Sequence, residues 1–150
     1  MSHPTQILPD HHRHCDNLFV AAENCAQRGD WAGASSSFAR FNGQMKAHFE
    51  AEEVLLFPAF ESATGMSGGP TAMMRREHEQ MRSLLAQLEV ACAARDGDAY
   101  AGNAETLLML MQQHNMKEEN ILYPMCEQAL GAGAQDLGAR IAGMLEAGDA

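Results

Sequence analysis

The sequence predicts an all-α protein, an up-down-up-down four-helix bundle followed by a short C-terminal helix. Three observations carry that prediction. Apolar residues recur at spacings of three and four along four long segments, the links between them are short and rich in turn residues, and apolar and polar residues nowhere alternate as in a half-buried strand. At 150 residues the chain is read as a single domain, 1–150, with its core from about residue 7 to residue 130.

The first helix is expected after Asp10 and runs to about Arg28, where Gly29 can take the left-handed conformation that ends helices. Asp30 suits the N-cap of a second helix, which places Ala34, Phe38, Phe41, Met45, His48, Glu52, Leu55 and Ala59 on one face. The Gly-rich run 64–69 breaks the chain. Pro70 then opens a third helix with the stripe Met74, His78, Met81, Leu85, Leu88 and Cys92. A turn at 95–98 follows, and Asp98 is the expected cap of a fourth helix carrying Leu107, Met111, His114, Glu118, Ile121 or Leu122, and Met125. Gly131 and Gly133 end that helix ahead of a tail helix reaching about Leu145. Pro58 and Pro124 each remove a backbone donor and crowd the preceding turn, so the second and fourth helices are expected to kink or stop there.

Composition narrows the function. A net charge of −10 with no basic stripe argues against nucleic acid, whose binding draws on clustered Lys and Arg. No apolar run approaches the ~18–20 residues that cross a bilayer, and the first residues lack the basic-then-apolar order of a signal peptide. A cytoplasmic protein without membrane contact is expected. Cys15, Cys25, Cys92 and Cys126 form no C-x-x-C pair, which fits reduced thiols better than a disulfide framework or a zinc finger. Eleven Met against six Phe indicate a core of flexible thioethers.

Residues 48–61 and 114–127 share one pattern, H-x3-E-E-x-[LI]-L-[FY]-P-x-x-E. A His and a Glu four residues apart sit one above the other on a helix, close enough to hold one metal ion. His48, Glu52, His78, His114 and Glu118 all fall on the apolar stripes. An inward His is commonly a hydrogen-bonded core residue, but an ionised Glu in a bundle core costs several kcal/mol unless a cation neutralises it. No Lys or Arg lies on the inward stripes of the second and fourth helices, and Arg82 is the nearest basic counter-ion to consider. Imidazole with carboxylate suits iron, manganese or zinc, and two bridging Glu with four His give each of two metals two nitrogens and two oxygens.

The fourth His comes from the first helix, where periodicity leaves His11 and His12 equivalent and reads His14 and His3 as solvent-facing. Glu50, Glu53 and Glu119 are expected to be solvated, and Glu79 to lie on the surface. Cys15 reads as a small buried apolar residue, and Met45, Met74, Met81 and Met111 as core filling that can also line a ligand path. Phe57 and Tyr123, the matching aromatics before each Pro, are expected to close the bundle end, with the Tyr hydroxyl able to donate a hydrogen bond near a metal. Two rival motifs fail. Met45, Arg75 and Met111 stand three before His48, His78 and His114, where a ferritin-like E-x-x-H needs Glu, and the H-E-x-x-H of zinc proteases ends here in Arg82.

On these residues the chain resembles the hemerythrin-like, or HHE cation-binding, family from about Ile7 to Leu130. The H-x3-E segments at His48 and His114 match specifically, Glu77-His78 resembles the third-helix motif, and His12 with Cys15, Leu18 and Phe19 resembles the first. The resemblance implies a non-haem centre of two iron ions held by His12, His48, Glu52, His78, His114 and Glu118. The chain departs from the family's oxygen carriers at Met74, where they have a further His, and in the spacing of Glu118 from His114. That implies one more open metal position than a simple oxygen store has. The ligand set is closer to members that repair iron–sulfur clusters or respond to nitric oxide. The expected function is binding or sensing of a small diatomic ligand, O2 or NO, or holding of iron. The alternatives are a di-iron redox enzyme acting on peroxide or NO or in cluster repair, and a structural zinc site.

Overall fold

The computed structural model describes residues 3–148 and is helical nearly throughout, with no strand among the described residues. Its helices are α1 (Pro4–Gln27), α2 (Trp31–Glu50), α3 (Phe57–Thr64), α4 (Pro70–Ala94), α5 (Gly97–Lys117), α6 (Tyr123–Leu130) and α7 (Gln135–Ala147). A π-helical turn, Ala51–Leu56, joins α2 to α3, and a second, Glu118–Leu122, joins α5 to α6. The bundle is therefore four long rods, α1, α2–α3, α4 and α5–α6. In it α1 lies against α2 and α5, α4 lies against α5 and α2, and α7 docks on the outside of α1 and α2.

Local chemistry explains most boundaries. Gly29 has φ 72° and Asp30 accepts from the Gly33 amide, so the first link is closed as its residues require. The first helix begins earlier than Asp10: His3 is the cap, its Nδ1 accepting from the Thr5 amide at 3.2 Å, and Pro4 occupies the first turn, where its missing donor costs nothing. The cap of α5 is Asp96, not Asp98. Asp96 has the extended backbone that lets its carboxylate reach the Ala99 amide, whereas Asp98 is already inside the first turn and complements the helix dipole there.

The two repeated prolines neither stop nor replace the helix. Ahead of Pro58 the Phe57 amide bonds to the Glu52 carbonyl, and ahead of Pro124 the Tyr123 amide bonds to the Glu118 carbonyl, each reaching five residues back instead of four. One residue is thereby absorbed into a wide turn, and each Pro falls in the first turn of the next α-helical segment, where no donor is needed. Both wide turns begin at or beside the repeated Glu.

The core divides in two. Phe38, Phe41, Leu85, Leu88, Tyr100 and Leu107 fill one end, and Leu8, Leu56, Phe57, Phe60, Tyr123 and Ile141 the other. Between them lies a buried layer of His and Glu.

Candidate metal centre

The buried polar layer contains His12 from α1, His48 from α2, His78 from α4, His114 from α5, and Glu52 and Glu118 from the two π-turns. Both carboxylates are fully buried. Glu52 directs Oε1 to His78 Nε2 at 3.0 Å and Oε2 to His48 Nε2 at 3.4 Å. Glu118 directs Oε2 to His114 Nε2 at 3.2 Å and Oε1 to His12 Nε2 at 3.0 Å, with His48 Nε2 at 3.9 Å. Glu118 therefore belongs to two groups of donors, and Glu52 turns its second oxygen toward His48. Glu52, His78, His114 and Glu118 form one group, and His12, His48 and Glu118 the other, with the donor atoms of each within 4.8 Å of one another.

Every one of the four rings turns Nε2 inward and has its Nδ1 engaged. His12 Nδ1 lies 2.6 Å from Glu119, His78 Nδ1 2.6 Å from Glu53, and His114 Nδ1 2.7 Å from Glu77. A carboxylate only accepts, so those three rings donate from Nδ1 and leave the Nε2 lone pair facing the centre when neutral. His48 Nδ1 meets His11 Nδ1 at 2.8 Å instead. Two of these three outer carboxylates are neutralised in turn, Glu53 by Arg82 at 2.9 and 3.0 Å and Glu77 by Lys117.

The consequence is a set of buried atoms with no hydrogen-bond partner: His48 Nε2, His78 Nε2, His114 Nε2, Glu52 Oε1 and Glu118 Oε2. Five such atoms in one buried layer would cost about 1–3 kcal/mol each if nothing satisfied them. Nitrogen lone pairs and carboxylate oxygens are the donor chemistry of a transition metal, and imidazoles oriented by outer carboxylates are its usual support. The residues present fit the group.

Without a metal, protons serve the same centre. Burial pulls His114 down, but the Glu118 carboxylate 3.2 Å away outweighs it and raises the ring to about 9. Burial lowers His12 and His78 too, and the bond of His12 to Glu118 and the Glu52 carboxylate 3.0 Å from His78 leave both raised. Glu52 is opposed by burial yet held well below the carboxylate range by the His48 and His78 imidazoles around it. His48 is lowered, because burial exceeds the pull of Glu52.

Several expectations change. Glu53 and Glu119 are not simply solvated: each lies in a wide turn and orients a His of the centre. Glu77 does the same from α4. Its place one residue before His78 was the available signal, but only packing against α5 reveals the role. Arg82 does not reach Glu52 and serves Glu53 and Glu79. Of the two first-helix candidates, His12 faces Glu118, and His11 lies outside the donor groups, between His48 and Gln44. His3 bonds to the Gly131 carbonyl at 3.1 Å. The Tyr123 hydroxyl enters the centre, donating to Glu52 Oε2 at 2.5 Å or to Glu118 Oε1 at 2.9 Å, whereas Phe57 stacks on His78 with centroids 5.7 Å apart.

A helical bundle with a buried layer of inward imidazoles and paired carboxylates is a metal-binding protein by construction. The family model described as the hemerythrin HHE cation binding domain matches residues 3–126, and the chain belongs to that family. Neither a curated protein nor a solved structure matches the chain. Among the described residues no helix is long and apolar enough to cross a membrane.

Proposed function

We propose that this chain, acting as one domain, holds two iron ions and through them binds or senses a small diatomic molecule, O2 or NO. The ligands would be His78 and His114 on one side and His12 and His48 on the other, with Glu52 and Glu118 shared. One observation carries this reading: the five partnerless inward atoms belong to these residues and to both sides of the layer. Two ferrous ions held there would supply electrons and coordination positions for O2 or NO.

The remaining work falls to the chain itself. Cys15, Met45, Phe49, Met81 and Met111 line a small cavity beside His12, His48 and His114, with room for about one water-sized molecule. Asn115 also borders it, but the surface it exposes is mostly apolar and suits a neutral diatomic better than water, which needs two or more polar partners. Tyr123, from the core end away from this cavity, supplies a hydroxyl proton that is bonded to both carboxylates. Burial, with the charges of Glu118 and Glu52, pushes that phenol well above its ordinary value, so it stays a donor at neutral pH.

Metal analysis and Mössbauer spectra of protein prepared without an affinity tag test the reading. Two irons per chain are expected, and His48→Ala and His114→Ala should each lose iron. Retention of both irons by both variants, or zinc alone in the native protein, would overturn it. Stopped-flow mixing of the ferrous form with O2 or NO distinguishes the roles. A stable adduct supports binding or sensing, and rapid oxidation with peroxide turnover would assign the protein to the redox enzymes.

A further inference from the structure

His48 is the one ring of the four whose outer nitrogen meets no carboxylate. Its partner is another imidazole, and two facing Nδ1 atoms 2.8 Å apart form a hydrogen bond only if one carries a proton and the other does not. Which one does so decides whether His48 can act as a ligand. With the proton on His48 Nδ1, its Nε2 offers a lone pair to the centre. With the proton on His11 Nδ1, His48 Nε2 carries the hydrogen and is blocked.

The arrangement beyond His11 resolves the choice. His11 Nε2 lies 2.6 Å from Gln44 Oε1, and Gln44 Nε2 donates to the Leu145 carbonyl of α7 at 3.3 Å. That carbonyl can only accept, so it turns the amide with its oxygen toward His11. An amide oxygen also only accepts, so His11 donates from Nε2, and its Nδ1 is left as acceptor. Cys15, whose Sγ is 3.7 Å from that same Nδ1, can share it as a weak donor. The end of α7 is held close: a Cβ at Gly148 would lie 2.5 Å from Ala47 Cβ and 3.1 Å from Gln44 Nε2.

We infer that Gln44 and His11 are positioning residues that keep the His48 proton on Nδ1, with the α7 carbonyl of Leu145 setting the direction of the line. Gln44, 2 % exposed, thus does for His48 what Glu119, Glu53 and Glu77 do for the other three rings, with no charge of its own. This rests on His48 being a metal ligand, but the proton's position is a property of the metal-free chain as well.

Long-range nitrogen–proton correlation spectra of the metal-free full chain read the tautomer, and titration with Fe(II) reads the consequence. His48 should be protonated at Nδ1. Gln44→Leu should give mixed His48 tautomers and bind the second Fe(II) equivalent about tenfold to a hundredfold more weakly, with the first unchanged. Gln44→Glu keeps an acceptor for His11 but loses the donor to Leu145, and it should retain the native tautomer and both equivalents. A His48 protonated at Nε2 in the native chain, or an unaltered tautomer in Gln44→Leu, would overturn the inference. So would a Gln44→Glu that behaves like Gln44→Leu, since the effect would then belong to α7 docking. If Gln44→Leu does not fold, the native spectrum and Gln44→Glu decide. A native chain with Nδ1-protonated His48 that binds no iron would sink the proposed function and leave the positioning role standing.

Discussion

The Tyr123 hydroxyl lies 2.5 Å from Glu52 Oε2, so the end of the second repeat reaches the carboxylate of the first. Phe57, at the matching place in the first repeat, has no hydroxyl to return the contact and stacks on His78 instead. The two halves of the layer thus differ, and the side containing His12 and His48 is the one with a proton donor.

Tyr123→Phe restores the symmetry at a cost. Glu52 Oε2 and Glu118 Oε1 lose a buried donor, and the metal-free protein should lose about 1–3 kcal/mol in denaturant unfolding. The metal-loaded protein should lose less, because a bound metal would satisfy the same oxygens. Equal losses in both forms would show that the hydroxyl serves packing alone.

Glu119→Gln tests the outer carboxylates. The change keeps the size of the side chain but removes the charge that orients His12 at 2.6 Å, and metal affinity should fall about tenfold to a hundredfold. Glu50→Gln, on the exposed side of α2, should leave the affinity unchanged. Isothermal titration of both variants separates the two neighbourhoods.

The stability of the metal-free protein should peak near pH 6.5 and fall on both sides. His114, raised from 6.5 to about 9, contributes stability that is complete below 6.5 and lost as pH climbs through 9. His11 runs the other way: burial and the His48 charge lower it to about 4, so its contribution is present above 6.5 and lost as pH drops through 4. Glu53 extends the acid limb, since burial is outweighed by the bonds from His78 and Arg82, which hold it at about 2. Melting temperatures from pH 3 to pH 10 check the shape, and a flat alkaline limb would contradict the pairing of His114 with Glu118.

Cysteine reactivity should follow burial. Burial pushes the Cys15 and Cys126 thiols up to about 12, leaving almost no thiolate at pH 8. Iodoacetamide should therefore label half-buried Cys25 first, and reach Cys15 and Cys126 only after unfolding. Peptide mass mapping over a time course reads the order, and early labelling of Cys15 would show that the cavity beside His12 opens to solvent.

Much of the molecule was legible in the chain. The three-and-four spacing of apolar residues, Gly29, Asp30 and Pro70 marked the helices and their links, because those signals act within one or two turns. The inward His and Glu of the repeats were equally plain, since an unpaired carboxylate on an apolar stripe has no inexpensive alternative to a cation. The wide turns were not legible. Pro58 and Pro124 announced a disturbance, but an extra residue taken into the turn and an end to the helix both accommodate the same missing donor, and only packing selects between them.

The sequence by itself determined a helical bundle with four imidazoles and two carboxylates on its inner faces, for periodicity is a property of one helix at a time. The tertiary structure alone decided which neighbour each ring's second nitrogen meets: Glu53, Glu77 and Glu119 for three of them, and His11 with Gln44 for His48. Those contacts cross between helices far apart in the chain or link different faces. A hydrogen bond of under 3 Å depends on how the rods rotate and slide against one another, which no spacing along a single rod records.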